Sequence, residues 1–382
     1  MYDLVCFSHL SWNFVYQRPQ HLMSRFARNR RVFYIEEPDV GPGPSRLLLK
    51  EDGKVQVAIP YLNKDLDKRE GRKEHIAQIQ GLYRQFRIDN PIVWYYTPMA
   101  IDYTRDFPAS LVIYDCMDEL SAFKGASPKI PAFEDELFKR ADLIFTGGKS
   151  LYESKRQRHS NVYCFPSSID FAHFSQARKP IPDPEDQAPT PKPRLGYYGV
   201  IDERMDLELL DQIATRRPEW QVILVGPVVK VEEEDLPDRR NIHYLGMKAY
   251  DKLPAYLSGW DVALLPFRVN EATRYLSPTK IPEYLAGGRP VVSTPIHDVV
   301  HPYQDLGLVS IAFNINDFIC RVEEAINLSE KSRRTWLHQV DQYLIHNSWE
   351  QTWQRMESII EDVLQKKAAG NESQSQTDFP GV

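Results

Sequence analysis

The chain has 382 residues, 42% hydrophobic and 26% charged, with a formal net charge of −6. This length suits two domains, each able to bury its own core. No run of 18 apolar residues occurs, which excludes a membrane-spanning helix, and Cys6, Cys116, Cys164 and Cys320 lie too far apart for a disulfide scaffold or structural zinc.

In chain order, "DLVCFS" (3–8) reads as a buried strand and "QRPQHLMSRFARN" (17–29) as the helix after it. Apolar runs at 31–38, 55–60, 91–98, 110–118, 142–148 and 161–168 continue the strand series. Helical stretches are expected around 66–87, 131–140 and 149–157. "KPIPDPEDQAPTPKPR" (179–194) then places six prolines in 16 residues and reads as an extended interdomain linker. A second series follows, with strands at 194–200, 220–228, 241–246, 261–267, 289–294 and 307–312. Its helices are expected at 206–216, 250–258, 278–286 and 315–329. The alternation predicts an α/β chain: two Rossmann-like, doubly wound parallel-sheet domains facing a cleft, the default ligand site of such an architecture. The expected boundaries are 1–178 for the first domain, 179–194 for the linker and 195–345 for the second domain. A C-terminal helix at 346–367 and a disordered tail at 368–382 complete the chain.

The net charge conceals an asymmetry. Residues 1–180 carry 26 Lys/Arg against 22 Asp/Glu, whereas residues 181–382 carry 21 against 31. The mildly basic first half suits an anionic lipid surface or an anionic acceptor. No basic face is interleaved with aromatics, so no nucleic-acid partner is expected. The first residues lack a basic n-region and a long apolar h-region, so the expectation is a cytoplasmic protein in peripheral contact with the inner membrane surface.

The segment "SPTKIPEYLAGG" (277–288) carries the most chemistry. Ser277 and Pro278 read as a helix start, and Gly287 with Gly288 as its stop. Lys280 then falls in the first turn, where a helix already presents about half a positive charge. A diphosphate resolves the conflict, because backbone N–H groups, the hydroxyls of Ser277 and Thr279 and the ammonium can all point at it. Glu283 shares the face of Lys280; it either pairs with the lysine or accepts sugar hydroxyls. Pro282 crowds the carbonyl of Pro278, so a distorted first turn, or a helix beginning at Pro282, is expected. Gly199, Gly226 and Gly246 end three successive strands, where a bare backbone lets a ligand approach. Arg204 follows Gly199 at loop distance; alone it reads more readily as a surface ion-pair residue.

In the first half, "SWNFVYQRPQHL" (11–22) joins the first strand to the first helix and so faces the cleft. Trp12, Gln17, Arg18 and His21 offer an aromatic face with amide, guanidinium and imidazole groups, which suits a sugar acceptor. The competing reading buries the aromatics, pairs Arg18 with Glu36 or Glu37, and makes His21 a satisfied helix residue. "YDCMDE" (114–119) ends another strand with Asp115 and Asp118, candidates for acceptor hydroxyls or a general base.

The order "G-x-x-x-x-R-x-D … P-x-W … G-P … N-x-x-Y-L-G … Y-x-x-L-P-x-Y-L … D-V-A-L-L-P-F … S-P-T-K-x-x-E-Y-L-A-x-G-x-P-V-V-S-T" resembles the donor domain of nucleotide-sugar glycosyltransferases of the GT-B fold, in the large retaining group (family 4). "SHLSWNFVYQRPQHLMSRFA", "VIYDCMDELSAF" and "ADLIFTGGKSLYESK…NVYCFPSSIDFAHF" extend the resemblance over roughly residues 1–365. It implies transfer of a sugar from a UDP- or GDP-linked donor to a carbohydrate or lipid-linked acceptor, in cell-surface polysaccharide or glycolipid synthesis. Ser277, Thr279 and Lys280 would hold the diphosphate, Glu283 the donor hydroxyls, and Arg204 the β-phosphate. Gly199 would admit the donor, while Leu245, Gly246 and Met247 would lie beside the base. No cofactor beyond the donor is implied and no metal is expected, since basic residues and helix N-termini meet the diphosphate charge in this fold. The family's second glutamate, eight residues before the first, is replaced here by Tyr275, and its arginine after the phosphate-loop glycine by Val200. Lys280, Glu283, Arg204 and Asp118 are thus the expected catalytic set, with Asp118 as base should the reaction invert. Two rivals stay open: a nucleotide-sugar epimerase, which would turn over donor without acceptor, and a non-catalytic nucleotide-sugar or glycan-binding subunit.

Overall fold

The computed structural model describes residues 2–377, with side chains through residue 369. The first sheet uses β1 (Leu4–Ser8), β2 (Val32–Glu36), β3 (Asp39–Gly41), β4 (Arg46–Asp52), β5 (Val55–Asn63), β6 (Ile92–Tyr95), β7 (Leu111–Cys116), β8 (Leu143–Thr146) and β9 (Val162–Cys164). Their order is β3-β5-β2-β1-β6-β7-β8-β9, and β4 joins β5 as an antiparallel hairpin. The second sheet uses β10 (Arg194–Tyr198), β11 (Gln221–Val225), β12 (Ile242–Gly246), β13 (Val262–Leu265), β14 (Val291–Ser293) and β15 (Ser310–Ile311). It is wholly parallel, in the order β12-β11-β10-β13-β14-β15.

Every residue of β1, β2 and β10 is buried, as expected of strands covered on both faces by helices. Alternate residues feed opposite cores: Leu4 and Cys6 enter one, Val5 and Phe7 the other. The strand order reverses beside β1 in the first sheet and beside β10 in the second. Ligands enter parallel sheets at such points, outside the carboxyl ends of the strands, and here both ends face one cleft. This is the α/β, two-sheet GT-B architecture.

The chain crosses between the domains twice. Ile169 and Ser348 pair side by side, and the Ile169 N–H donates to the Asn347 carbonyl at 2.9 Å. After the second crossing, the helix Trp349–Thr377 returns to the first domain, inserting Trp349, Trp353, Met356 and Ile360 into its core.

Some elements depart from the sequence reading. The β4–β5 hairpin has an exposed edge strand, "RLLLKED", whose exposure alternates and whose apolar signal is correspondingly weak. A helix at Glu330–Leu344 was not anticipated, because few of its side chains are buried. The last helix continues to Thr377, beyond residue 367; residues 378–382 of the expected disordered tail lie outside the described residues. The proline-rich segment, read as an extended interdomain linker, packs against the second domain, whose core already includes Phe174 and Ala177 before it. Gln187 is fully buried, accepts from Trp260 Nε1 at 2.9 Å and donates to the Tyr256 carbonyl at 3.1 Å, while Arg194 grips Asp183.

Candidate functional site

A cleft of about 650 Å³ lies between the two sheets. From the first domain it is lined by the loop after β1, by Met117, Asp118 and Phe123 after β7, and by Gly147 after β8. From the second come residues 197–204 around the end of β10, Gly226, residues 247–250, and the segment 276–280 with Glu283.

The helix carrying Lys280 begins at that residue, not at Pro278. Thr279 precedes it in αR geometry with no side-chain cap, so Ser277 and Pro278 form an irregular lead-in. Pro282 explains the late start: it sits at the third helical position, where no intrahelical donor is required. Two glycines then make room for the lysine. Gly199 has φ +136, and a Cβ there would collide with Lys280 Cε. Gly226, at φ +148, lies so close that a Cβ would run into the Gly199 carbonyl. The ammonium rests 5.5 Å from the Tyr197 ring centroid. Among the described residues no hydrogen bond or ion pair engages it. Burial and the Arg204 guanidinium push its pKa down from 10.5 to about 8.

Glu283 faces the same space and accepts from Tyr198 OH at 2.8 Å. Burial pushes its carboxyl up from 4.5 to about 7. Arg204 is held by Asp202 through bonds of 2.6–3.1 Å and stands 5.1 Å from the Phe123 ring of the opposite domain. Burial would discharge the guanidinium, but Asp202 and Asp118 outweigh it and keep the charge in place.

The raised carboxyl has a measurable consequence. A carboxyl whose folded pKa lies above its unfolded value contributes stability that is present below 4.5 and lost as pH climbs through about 7. Glu283→Gln is therefore expected to melt with the wild type at pH 5 and above it at pH 8. Thermal unfolding at the two pH values checks this, and an equal shift at both would overturn it.

Of the expected residues, Trp12, Gln17, Arg18, Asp118, Gly199, Arg204, Gly226, Met247, Ser277, Thr279, Lys280 and Glu283 line the cleft. Leu245 and Gly246 do not; only Met247 of that trio reaches it, 54% exposed. Asp115 is a correction: fully buried, it takes Arg18 Nε and Nη2 at 2.9 Å each and has no face toward an acceptor. Arg18 spends its remaining nitrogen on the Phe165 carbonyl at 2.6 Å, so it borders the cleft with its guanidinium committed. Its partner is Asp115 rather than Glu36 or Glu37. His21 is also withdrawn, stacked on Trp349 at 4.5 Å, and burial pulls its pKa well down. Trp12 does reach the cleft, its indole N–H tied to Asp52 at 2.6 Å and its backbone N–H to Glu36.

Several lining residues escaped the sequence reading: His9, Phe123, Lys230 and Tyr250. His9 was findable, since it directly follows β1. Tyr250 was not, because its value lies in three-dimensional contacts: its ring packs 4.6 Å from both Tyr16 and His173.

Comparison with known proteins bears on this geometry. Residues 192–327, within the second domain, match the family described as glycosyl transferases group 1. A protein of Bacillus subtilis (strain 168), named as a teichuronic acid biosynthesis glycosyltransferase, is 25% identical over 218 residues, covering 53% of this chain and 55% of its own. The chain thus spans about half the length of that curated relative. Similar folds include sucrose-phosphate synthase from Thermosynechococcus elongatus (TM-score 0.70, 14% identity, covering 96% of this chain and 100% of that one). An E. coli trehalose-6-phosphate structure bound with UDP-2-fluoro glucose aligns at TM-score 0.67 and 12% identity over 95% and 99% of the chains. A glycosyltransferase involved in lipopolysaccharide biosynthesis aligns at 0.64 and 15% over 94% and 99%. Among the described residues, no helix is long and apolar enough to cross a membrane.

Proposed function

We propose that this chain transfers a sugar from a nucleotide diphosphate sugar to a carbohydrate or lipid-linked acceptor, with retention, in the synthesis of a cell-surface polysaccharide or glycolipid. One observation carries the reading: an unpaired, half-buried Lys280 ammonium, lodged over glycines 199 and 226 and flanked by Arg204, at the floor of a cleft between two sheets. Such a group is costly unless an anion arrives. A diphosphate leaving group is that anion, and fixed cations aimed at it favour departure by electrostatic preorganisation. Glu283 would accept donor hydroxyls, and Asp118, across the cleft, would meet the acceptor. With retention, an oxygen of the leaving phosphate takes the acceptor proton and no protein base is required. The family match of the second domain and the named activity of the Bacillus subtilis relative support this reading.

Calorimetry with UDP, GDP and their sugar conjugates tests it. One diphosphate is expected to bind preferentially, and EDTA is expected to leave that affinity unchanged because Lys280 and Arg204 meet the phosphate charge. Donor consumption that needs no acceptor and yields an isomeric sugar nucleotide would favour the epimerase. No binding of any nucleotide would sink the proposal.

A further inference from the structure

The turn after β8 touches the second domain in an unusual way. Gly148 is the N-cap of the helix Lys149–Lys155 and has no side chain with which to cap it. The cap is supplied across the cleft. The Ser150 N–H donates to Asp298 Oδ1 at 3.1 Å and lies 3.4 Å from Oδ2. Asp298 is buried, and His297 Nδ1 lies 3.1 Å from its Oδ1. A Cβ on Gly148 would collide with the Asp298 carboxylate and come within 2.7 Å of Ser277 Cβ. Ser277 opens the segment that carries Lys280. Tyr275, two residues earlier, packs against a core of the first domain. The donor loop of one domain is therefore fastened to the other at two neighbouring points.

We propose that Asp298 is a positioning residue: by capping Ser150 across the cleft, it holds the first domain against segment 275–280 in the arrangement that transfers sugar to an acceptor. The inference rests on the glycosyltransferase reading above. A backbone N–H capped by a carboxylate strengthens when water is excluded. The contact is thus made fully only when the domains are together. It links occupancy of the donor loop to closure of the acceptor face, which brings acceptor and donor together and keeps water from the donor.

Three variants test it. Asp298→Ala removes the cap, Asp298→Asn keeps an accepting oxygen, and Gly148→Ala wedges the domains apart without deleting any polar group. Asp298→Ala is expected to lower kcat roughly five- to tenfold, the rate equivalent of one lost cap. Diphosphate affinity stays near wild type, since Lys280 and Arg204 are untouched, and donor hydrolysis rises relative to transfer. Asp298→Asn recovers most of the rate, and Gly148→Ala reproduces the defect. Small-angle scattering with UDP and with GDP should show both defective variants more extended than the wild type. This readout needs no turnover, so it stands even if the chain proves not to transfer sugar. Wild-type compactness and wild-type partition between transfer and hydrolysis in both defective variants would overturn the proposal. So would an equal loss of diphosphate affinity and rate, which would make Asp298 part of the donor site itself.

Discussion

Arg18→Ala is expected to lose about 3–5 kcal/mol of stability rather than only turnover, the usual cost of breaking one partner out of a buried ion pair. The guanidinium is 2% exposed and Asp115 is fully buried. All three of its nitrogens are engaged, two by the carboxylate and one by the Phe165 carbonyl. Removing it leaves a fully buried carboxylate without its ion-pair partner. Burial already raises the Asp115 pKa, and Arg18 is the group that opposes the rise. The variant must therefore bury a bare charge or take up a proton. Denaturant unfolding of Arg18→Ala and of the double variant Arg18→Met/Asp115→Leu separates the terms. The single change should be severe and the double change far milder, because replacing both partners removes the unmet charge. An Arg18→Ala protein of wild-type stability with a selective loss of acceptor affinity would return Arg18 to the acceptor site.

That residue also shows where a linear reading stops. Position told correctly that a helix covering Arg18 follows β1, because Pro19 and the apolar spacing of Leu22, Met23 and Phe26 require it. Its partner stands 97 positions away, on β7, which is separated from β1 in the sheet by β6, and no local pattern encodes that pairing. The same limit hid Asp298, whose carboxylate caps a helix of the other domain. By contrast, the two sheets were legible because parallel strands buried on both faces appear as unbroken apolar runs. The hairpin β4 and the helix Glu330–Leu344 were not, since elements that bury little leave little apolar periodicity. The Lys280 segment was legible for an electrostatic reason: a cation near a helix start is out of place until an anion joins it. Its exact start was not, because Pro282 shifts the first regular turn in a way that caps alone do not predict.

Lys280→Ala should weaken binding of the preferred nucleoside diphosphate by about 10- to 150-fold, the loss of one charge-assisted contact worth roughly 1.5–3 kcal/mol. The fold should not suffer. The ammonium pKa is pushed down to about 8, so the charged form is strained in the empty site. Stability from such a group is present above its unfolded pKa of 10.5 and lost as pH falls through about 8. Below pH 8 the alanine variant is thus expected to melt no lower than the wild type while binding far less. A lysine kept for structure would show the reverse. The same depressed pKa gives a second signature. At pH 8 the empty site is partly neutral, and an arriving diphosphate restores the proton. Binding enthalpy should therefore vary with the ionisation heat of the buffer in the wild type, and this dependence should disappear in Lys280→Ala. Gly199→Ala should imitate the affinity loss, because its methyl collides with Lys280 Cε and its φ of +136 disfavours any side chain. If Lys280→Ala binds UDP and GDP as the wild type does, the ammonium faces no phosphate and the donor site lies elsewhere.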